Sequence, residues 1–266
     1  MNRIKAIVLT FDGYRPLTDH MIFKYQQLWP DHPFLFRVPY QDLANPPSER
    51  IEYRRTPVGI KQTVLGLLDD LDDHELIYWC IDDKYPMKLD VPRIAQIGQW
   101  LTDPSAASVS GVLFCRCRRM WDERCLGGDT ITDPWGHDYL ERTGYEQIWV
   151  HQFVRAGVIR HLFQSFPDVI EFPRRMDKFK NVLPKPAWHR LLVSRRNLAT
   201  FGESTEQGTL TLNCRRSLAL NGLTAPSWAD ETTTREHVLG TPWLNAKQRL
   251  RYYVGRLTGH PPDFFY

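Results

Sequence analysis

Two hydrophobic rhythms alternate along the chain. Ile4–Leu9 is a short, nearly unbroken apolar run with β-branched residues, as expected of a strand buried on both faces of a parallel sheet. It ends at Thr10-Phe11-Asp12-Gly13-Tyr14-Arg15-Pro16, a turn-forming segment. Leu17, Met21, Tyr25 and Leu28 then recur at helical spacing until Pro30 stops the helix. Residues 34–38 predict a second strand, and residues 39–55, with Pro39, Pro46 and Pro47, predict a loop. Thr56-Pro57 predicts a helix start with proline at its first position, and Ile60, Val64, Leu67, Leu68 and Leu71 form its apolar face. Residues 76–81 predict a fully buried strand that runs directly into Asp82-Asp83-Lys84. Asp90-Val91-Pro92 opens another helix with Ile94, Ile97 and Leu101 inward, and residues 109–114 predict a further strand.

Strands and helices in alternation predict an α/β fold: a mostly parallel central sheet with flanking helices and an irregular, helix-rich C-terminal part, in one domain spanning 1–266. Residues 115–145 read as polar excursions from the sheet. A helix is predicted over 153–166, a loop over 167–189, and a helix over 210–220 closed by Asn221-Gly222. Thr241-Pro242 opens a last helix with Leu250, Val254 and Leu257 inward. No internal repeat or clear linker divides the chain.

Composition narrows the class. Hydrophobic residues make up 42% of the 266 and charged residues 24%, as in a globular protein rather than a disordered one. No apolar run approaches the ~20 residues that span a bilayer, and the first residues read as a strand rather than a signal peptide. Five cysteines and no Asn-x-Ser/Thr sequon point to the reducing cytoplasm. The formal net charge of +3 is too small to argue for nucleic acid. Its distribution says more. Residues 69–83 hold seven acids and no Lys or Arg, and residues 174–196 hold eight Lys/Arg against Asp177 alone.

In open α/β sheets ligands bind beyond the carboxyl ends of the strands, which singles out residues 10–15 and 82–84. Adjacent carboxylates after a buried strand are costly unless solvated or paired. Successive side chains of an extended segment point to opposite sides, so Asp82 and Asp83 take different partners. One can hold Mg²⁺ or Mn²⁺, which commonly take one or two protein carboxylates and complete the shell with phosphate and water. Cys115, Cys117 and Cys125 lack the paired spacing of a zinc site. No dinucleotide fingerprint, Walker motif or nucleophile-elbow motif is present.

The residues Thr10-Phe11-Asp12-Gly13-Tyr14-Arg15, Leu28-Trp29-Pro30 and Ile81-Asp82-Asp83-Lys84-Tyr85 give the first 115 residues a resemblance to bacterial glycosyltransferases of the GT-A, or nucleotide-diphospho-sugar transferase, fold, associated with surface polysaccharide synthesis. Gly208-Thr209-Leu210-Thr211 with Asn221-Gly222-Leu223 is a weaker echo. The resemblance implies that Thr10, Phe11, Asp12, Tyr14 and Arg15 contact the base and ribose of a nucleotide sugar, a UDP-sugar first. It implies that Asp83 binds the Mn²⁺ or Mg²⁺ bridging the diphosphate, with Asp82 beside it on the metal or on the ribose or sugar. Lys84 either pairs with Asp83 or neutralises phosphate.

Such a reaction also needs a general base for the acceptor hydroxyl if it inverts the sugar carbon. Asp138, Glu146, Asp168 and Glu171 are the candidates, with Glu171 first because it follows Val169-Ile170 and precedes the basic segment. His137, His151 and His161 are alternatives. Arg174, Arg175, Lys178 and Lys180 are candidates to grip the diphosphate. The acceptor is expected to be a glycan or a lipid-linked sugar. The aromatic, basic tail from residue 243 could touch an anionic membrane at its inner face. Two competing readings are a nucleotide-sugar-binding module without turnover, and nucleic-acid binding through residues 174–196 with Trp188 as a stacking platform.

Overall fold

A computed structural model describes residues 3–43, 48–115, 126–168 and 173–240, together with 254, 257 and 258. Its first half follows the apolar pattern closely. Strand β1 (Ile4–Leu9) leads through a short turn at Asp12–Tyr14 into helix α1 (Arg15–Leu28), and then β2 (Phe34–Tyr40), β3 (Ile51–Arg55), α2 (Ile60–Leu67) and β4 (Leu76–Ile81) follow. Next come β5 (Lys84–Leu89), α3 (Val91–Thr102) and β6 (Gly111–Leu113). Beyond these lie β7 (Leu126–Thr132), β8 (Asp138–Arg142), β9 (Gln152–Arg155), α4 (Ala156–Ser165), α5 (Pro173–Lys180), β10 (Leu191–Ser194), β11 (Ala199–Glu203) and α6 (Leu212–Leu220).

Nine strands form one sheet in the order β3-β2-β1-β4-β9-β6-β10-β8-β7. The first four are mutually parallel. Strand β9 enters antiparallel between β4 and β6, β10 runs parallel to β6, and β8 and β7 close the far side antiparallel. The protein is therefore a mixed α/β fold with helices on both faces of a large sheet.

Period-two alternation sorts the strand residues between two cores. Ala6, Val8, Tyr78 and Cys80 pack with Leu17, Met21, Ile94 and Ile97 of α1 and α3. Ile7, Ile77 and Trp79 face Val64, Leu67, Ile159 and Leu162 of α2 and α4. A fully buried side chain of this kind contributes about 1.5–3 kcal/mol. Gly111 is required where β6 is squeezed between β9 and β10, because a Cβ there would lie 2.8 Å from the Phe153 carbonyl oxygen.

Several expectations are corrected. The loop expected over 39–55 contains β3, a partly solvated edge strand whose polar alternation hides it. Helix α2 begins at Ile60 rather than at Thr56-Pro57, because Thr56 N–H still bonds the Tyr40 carbonyl and Gly59 turns the chain with a φ of 110°. The polar stretch 115–145 supplies β7 and β8, and the helix expected from 153 opens as β9. The basic loop over 167–189 contains α5. Lys84–Leu89 is a strand despite Pro86, in a separate two-stranded sheet with β11 whose register slips opposite that proline. The tail lies outside the described residues except Val254, Leu257 and Thr258. Val254 and Leu257 are 50% and 88% exposed, not inward. No helix among the described residues is long and apolar enough to cross a membrane.

Candidate functional site

Because β1 and β4 are adjacent and parallel, their carboxyl ends place residues 10–14 beside residues 82–84. Asp82 and Asp83 form the two-residue turn between β4 and β5. Asp82 N–H donates to the Leu9 carbonyl at 3.2 Å, and Ser204 Oγ donates to the Asp82 carbonyl at 3.3 Å. Beneath the turn lies His151, fully buried, with Nε2 2.9 Å from the Ile81 carbonyl oxygen and Nδ1 2.7 Å from the Tyr25 hydroxyl. Burial pushes its pKa down to about 3, so the ring is neutral and supports the turn rather than serving as a base.

A cavity of about 1040 Å³ opens over this turn. Its lining includes Thr10, Phe11, Asp12, Tyr14, Asp82, Asp83, Lys84 and Arg174. Arg174 and Lys178 are exposed one helical turn apart on α5, which aims both at the cavity. Phe11 is half exposed, and its ring contacts Tyr14, which in turn stacks on Trp228 at 5.0 Å between centroids.

The carboxylates differ sharply. Asp12 Oδ2 accepts the backbone N–H groups of Gln41, Asp42 and Leu43 at 3.1, 2.7 and 3.0 Å, and Oδ1 lies 3.4 Å from Arg15 Nη2. Burial pushes its pKa up, but these donors and Arg15 outweigh it and hold the group below the usual carboxylate range. Asp12 therefore clamps the loop after β1 to the loop after β2. Asp82 is the opposite case. It is buried, its Oδ2 has no hydrogen-bond partner, and burial, reinforced by Asp83 and opposed by Thr10 and Lys84, pushes its pKa up to about 8.

Lys84 is also buried, with Nζ 3.2 Å from Asp83 Oδ1 and 3.3 Å from Glu203 Oε1. Burial alone would lower its pKa, but the two carboxylates outweigh burial and raise it, so it carries its charge. This arrangement decides how the expected metal fits. The orphaned Asp82 oxygen could serve a cation only once the carboxyl, whose pKa burial raises to about 8, has lost its proton. Asp83, the expected principal ligand, is already engaged by an ammonium group, and no cluster of three or more His, Cys, Asp or Glu suited to a metal occurs among the described residues. A divalent ion on Asp83 would sit against Lys84, so the residues present do not fit Mn²⁺ or Mg²⁺ as drawn from the sequence.

Other expected site residues stand apart. Arg15 does not line the cavity; it is buried, bonds the Pro39 carbonyl at 3.2 Å and lies over the Tyr53 ring. Arg175 is exposed on α5 and does not line the cavity. Asp138 lines a different cavity, beside Arg195. Glu171 lies outside the described residues. Lys180 is buried and paired with Asp177 at 3.0 Å, so it does not reach a ligand. Asp168 pairs with Lys61 on the surface, and the Glu146 carboxylate accepts the Gly144 N–H. Sequence reasoning missed Gln41, Trp149, Asn181 and Thr205 in the lining. Trp149 is held there by its Nε1–H, which donates to Asp177 at 3.0 Å, and nothing in its sequence neighbourhood signals this.

No family model and no curated protein matches the chain. Similar solved structures include a 4-diphosphocytidyl-2C-methyl-D-erythritol synthase from Anaerococcus prevotii, at 11% identity and a TM-score of 0.39 over 83% of this chain and 96% of that one. A 2-C-methyl-D-erythritol 4-phosphate cytidylyltransferase from Francisella tularensis is similar at 11% identity and a TM-score of 0.39, over 84% and 99% of the two chains. The galactosyltransferase LgtC in complex with donor and acceptor sugar analogs is similar at 12% identity and a TM-score of 0.33, over 68% and 67%.

Proposed function

We propose that the protein is a glycosyltransferase that takes a sugar from a nucleoside-diphosphate sugar, a UDP-sugar first, and transfers it to a hydroxyl of a glycan or lipid-linked acceptor. The observation that supports this is a single cavity shared by the loop after β1, the Asp82-Asp83 turn and the cationic face of α5. Base and ribose lie along Thr10, Phe11 and Tyr14, with Phe11 as a stacking surface. Arg174 and Lys178 face the diphosphate and stabilise the charge that grows on the leaving phosphate oxygen as its bond to the sugar carbon breaks. Asp82, protonated near neutral pH, can donate a hydrogen bond to a ligand oxygen without repelling the phosphates. The acceptor oxygen attacks the sugar carbon and gives its proton to a base, for which Glu171, three positions before Arg174, remains the candidate.

The Lys84–Asp83 ion pair favours a second reading, a nucleotide-sugar-binding module without turnover. Calorimetric titration with UDP-, GDP-, CMP- and dTDP-sugars tests the site. One of these is expected to bind equally with EDTA and with Mn²⁺, and Arg174→Ala with Lys178→Ala is expected to weaken it about tenfold or more, since hydrogen bonds to charged groups are worth about 1.5–3 kcal/mol. No binding by any donor would retire both readings. Release of nucleoside diphosphate in the presence of acceptor separates the enzyme from the binding module.

A further inference from the structure

The opposite edge of the sheet carries a second cavity that the donor site leaves unused. β4, β6 and β10 begin at that edge and the antiparallel β8 and β9 end there, which gathers Glu141, Arg155 and Arg190 far from Asp82. The six residues of β4 alone set the two edges about 20 Å apart. The cavity has a volume of about 950 Å³, and Trp188 stands in its wall 74% exposed.

The backbone under Trp188 is fixed. Its carbonyl accepts Ser110 Oγ–H at 2.9 Å, and the following His189 N–H closes a turn onto the Pro186 carbonyl at 2.9 Å. Pro184 and Pro186 stiffen the approach to it. His189 is buried beside the indole with the ring planes at 76°, and its Nδ1 lies 2.9 Å from the Tyr145 hydroxyl. An aromatic side chain carried on a fixed backbone costs little further ordering when it takes up a ligand.

The charges of the lining balance. Its three guanidinium groups face three carboxylates, and all six are engaged. Arg160 pairs with Asp73 and bonds the Leu68 and Leu71 carbonyls, and Arg190 pairs with Glu141 at 3.3 Å. Arg155 bonds the His74 and Leu101 carbonyls at 2.9 and 2.7 Å, and Asp103 accepts the Ser105 N–H at 2.8 Å. Just outside the lining, Lys185 also pairs with Glu141, and Asp72 accepts the His74 backbone N–H. What is left for a ligand is polar. The side chains of His74, Ser108 and Gln164 are exposed and that of His161 is half-buried, and none of the four hydrogen-bonds another of the described residues.

We propose that this cavity binds a neutral oligosaccharide, with one sugar ring stacked on Trp188. The C–H groups on a face of a pyranose carry partial positive charge and pack on the negative face of an aromatic ring. Its hydroxyls both donate and accept, as do the serine, glutamine and histidine side chains around the indole. A nucleic acid fits less well. The exposed Arg174 and Lys178 line the donor cavity at the other edge, while the cations beside Trp188 already hold carboxylates or carbonyls. A glycan chain held here is gripped far from the end that the transferase would extend; that role rests on the transferase reading above, and the site itself does not.

The test titrates the intact protein with neutral hexasaccharides of glucose, galactose and mannose and with a single-stranded oligonucleotide, using wild type, Trp188→Ala, Trp188→Phe and the Arg174→Ala/Lys178→Ala variant. At least one hexasaccharide is expected to bind, with an affinity that salt does not change. Trp188→Ala is expected to weaken it about tenfold, Trp188→Phe less, and the α5 variant not at all. Failure of all three hexasaccharides to bind, unchanged affinity in Trp188→Ala, or an equal loss in the α5 variant would overturn the proposal. Oligonucleotide binding that falls steeply with salt and is lost in Trp188→Ala, without hexasaccharide binding, would overturn it in favour of nucleic acid. A wild type that binds a hexasaccharide but no nucleotide sugar would retire the transferase reading and leave this site standing.

Discussion

Replacing Lys84 by methionine is expected to destabilise the protein by about 3–5 kcal/mol, the range seen when one partner of a buried ion pair is removed. The stem volume is nearly kept, so the loss is electrostatic. Glu203, only 15% exposed at its side chain, loses its ammonium partner and keeps the His237 backbone N–H at 3.2 Å. Asp83 is 38% exposed and contributes less, because water already screens it. Urea unfolding of wild type and Lys84→Met at pH 5 and pH 8 measures this directly. A loss under about 1 kcal/mol at both pH values would show that Lys84 is an ordinary solvated side chain. The same variant frees Asp83, so Mn²⁺ is expected to raise the Tm of Lys84→Met and to leave that of wild type unchanged.

The second large effect concerns pH. Asp82 has a folded pKa of about 8 against about 3.9 in an unfolded chain. Between those values the folded protein holds a proton that the unfolded chain has released. Stability therefore falls as pH rises through this window, the reverse of the usual salt-bridged aspartate. Asp82→Asn mimics the protonated group and is expected to remove this part of the slope. In EDTA-treated protein the variant should match wild type near pH 4–5 and exceed it near pH 8 by on the order of a few kcal/mol. Parallel stability curves for the two proteins between pH 4 and 8 would show that the carboxyl ionises freely in the fold. Nucleotide-sugar binding is expected to survive in the variant at pH 7, because its amide can still donate a hydrogen bond.

The parts of the fold legible in the sequence were those where burial on both faces leaves an unbroken apolar signal. β4 is the clearest case: six buried residues end in two carboxylates, and both the strand and the location of the site follow from that break. β8 and β10 were invisible for opposite reasons. Asp138–Arg142 is a polar, half-buried strand with charge at both ends, and Leu191–Ser194 is four residues long between basic stretches. Within the site, the loop after β1 could be read because the chain order of a parallel sheet fixes where it must lie. The direction of each side chain could not. Arg15 turns inward onto Tyr53 and Lys84 is drawn down between Asp83 and Glu203, and both outcomes depend on partners distant in sequence. The cationic face of α5 was present in the composition, but its helical phase, which sends Arg174 and Lys178 one way and Lys180 another, appears only once Met176 is buried against the second core.

The placement of β9 bears on how a ribosome delivers this protein. β4 ends at residue 81, and the strand that covers its outer edge does not begin until residue 152. Throughout that interval of synthesis the nascent chain presents Leu76–Ile81, among the most apolar strands of the sheet, with one row of amide and carbonyl groups unpaired. Such edges recruit other strands, and partly made α/β chains are vulnerable at this stage. A fragment ending at residue 115 should accordingly self-associate, as analytical ultracentrifugation would detect, and a peptide spanning Gln152–Arg155 and α4 should suppress that association by occupying the vacant edge. The central strand of the sheet is thus made after most of its neighbours, and the most exposed moment of the chain falls before the segment that protects it has been translated.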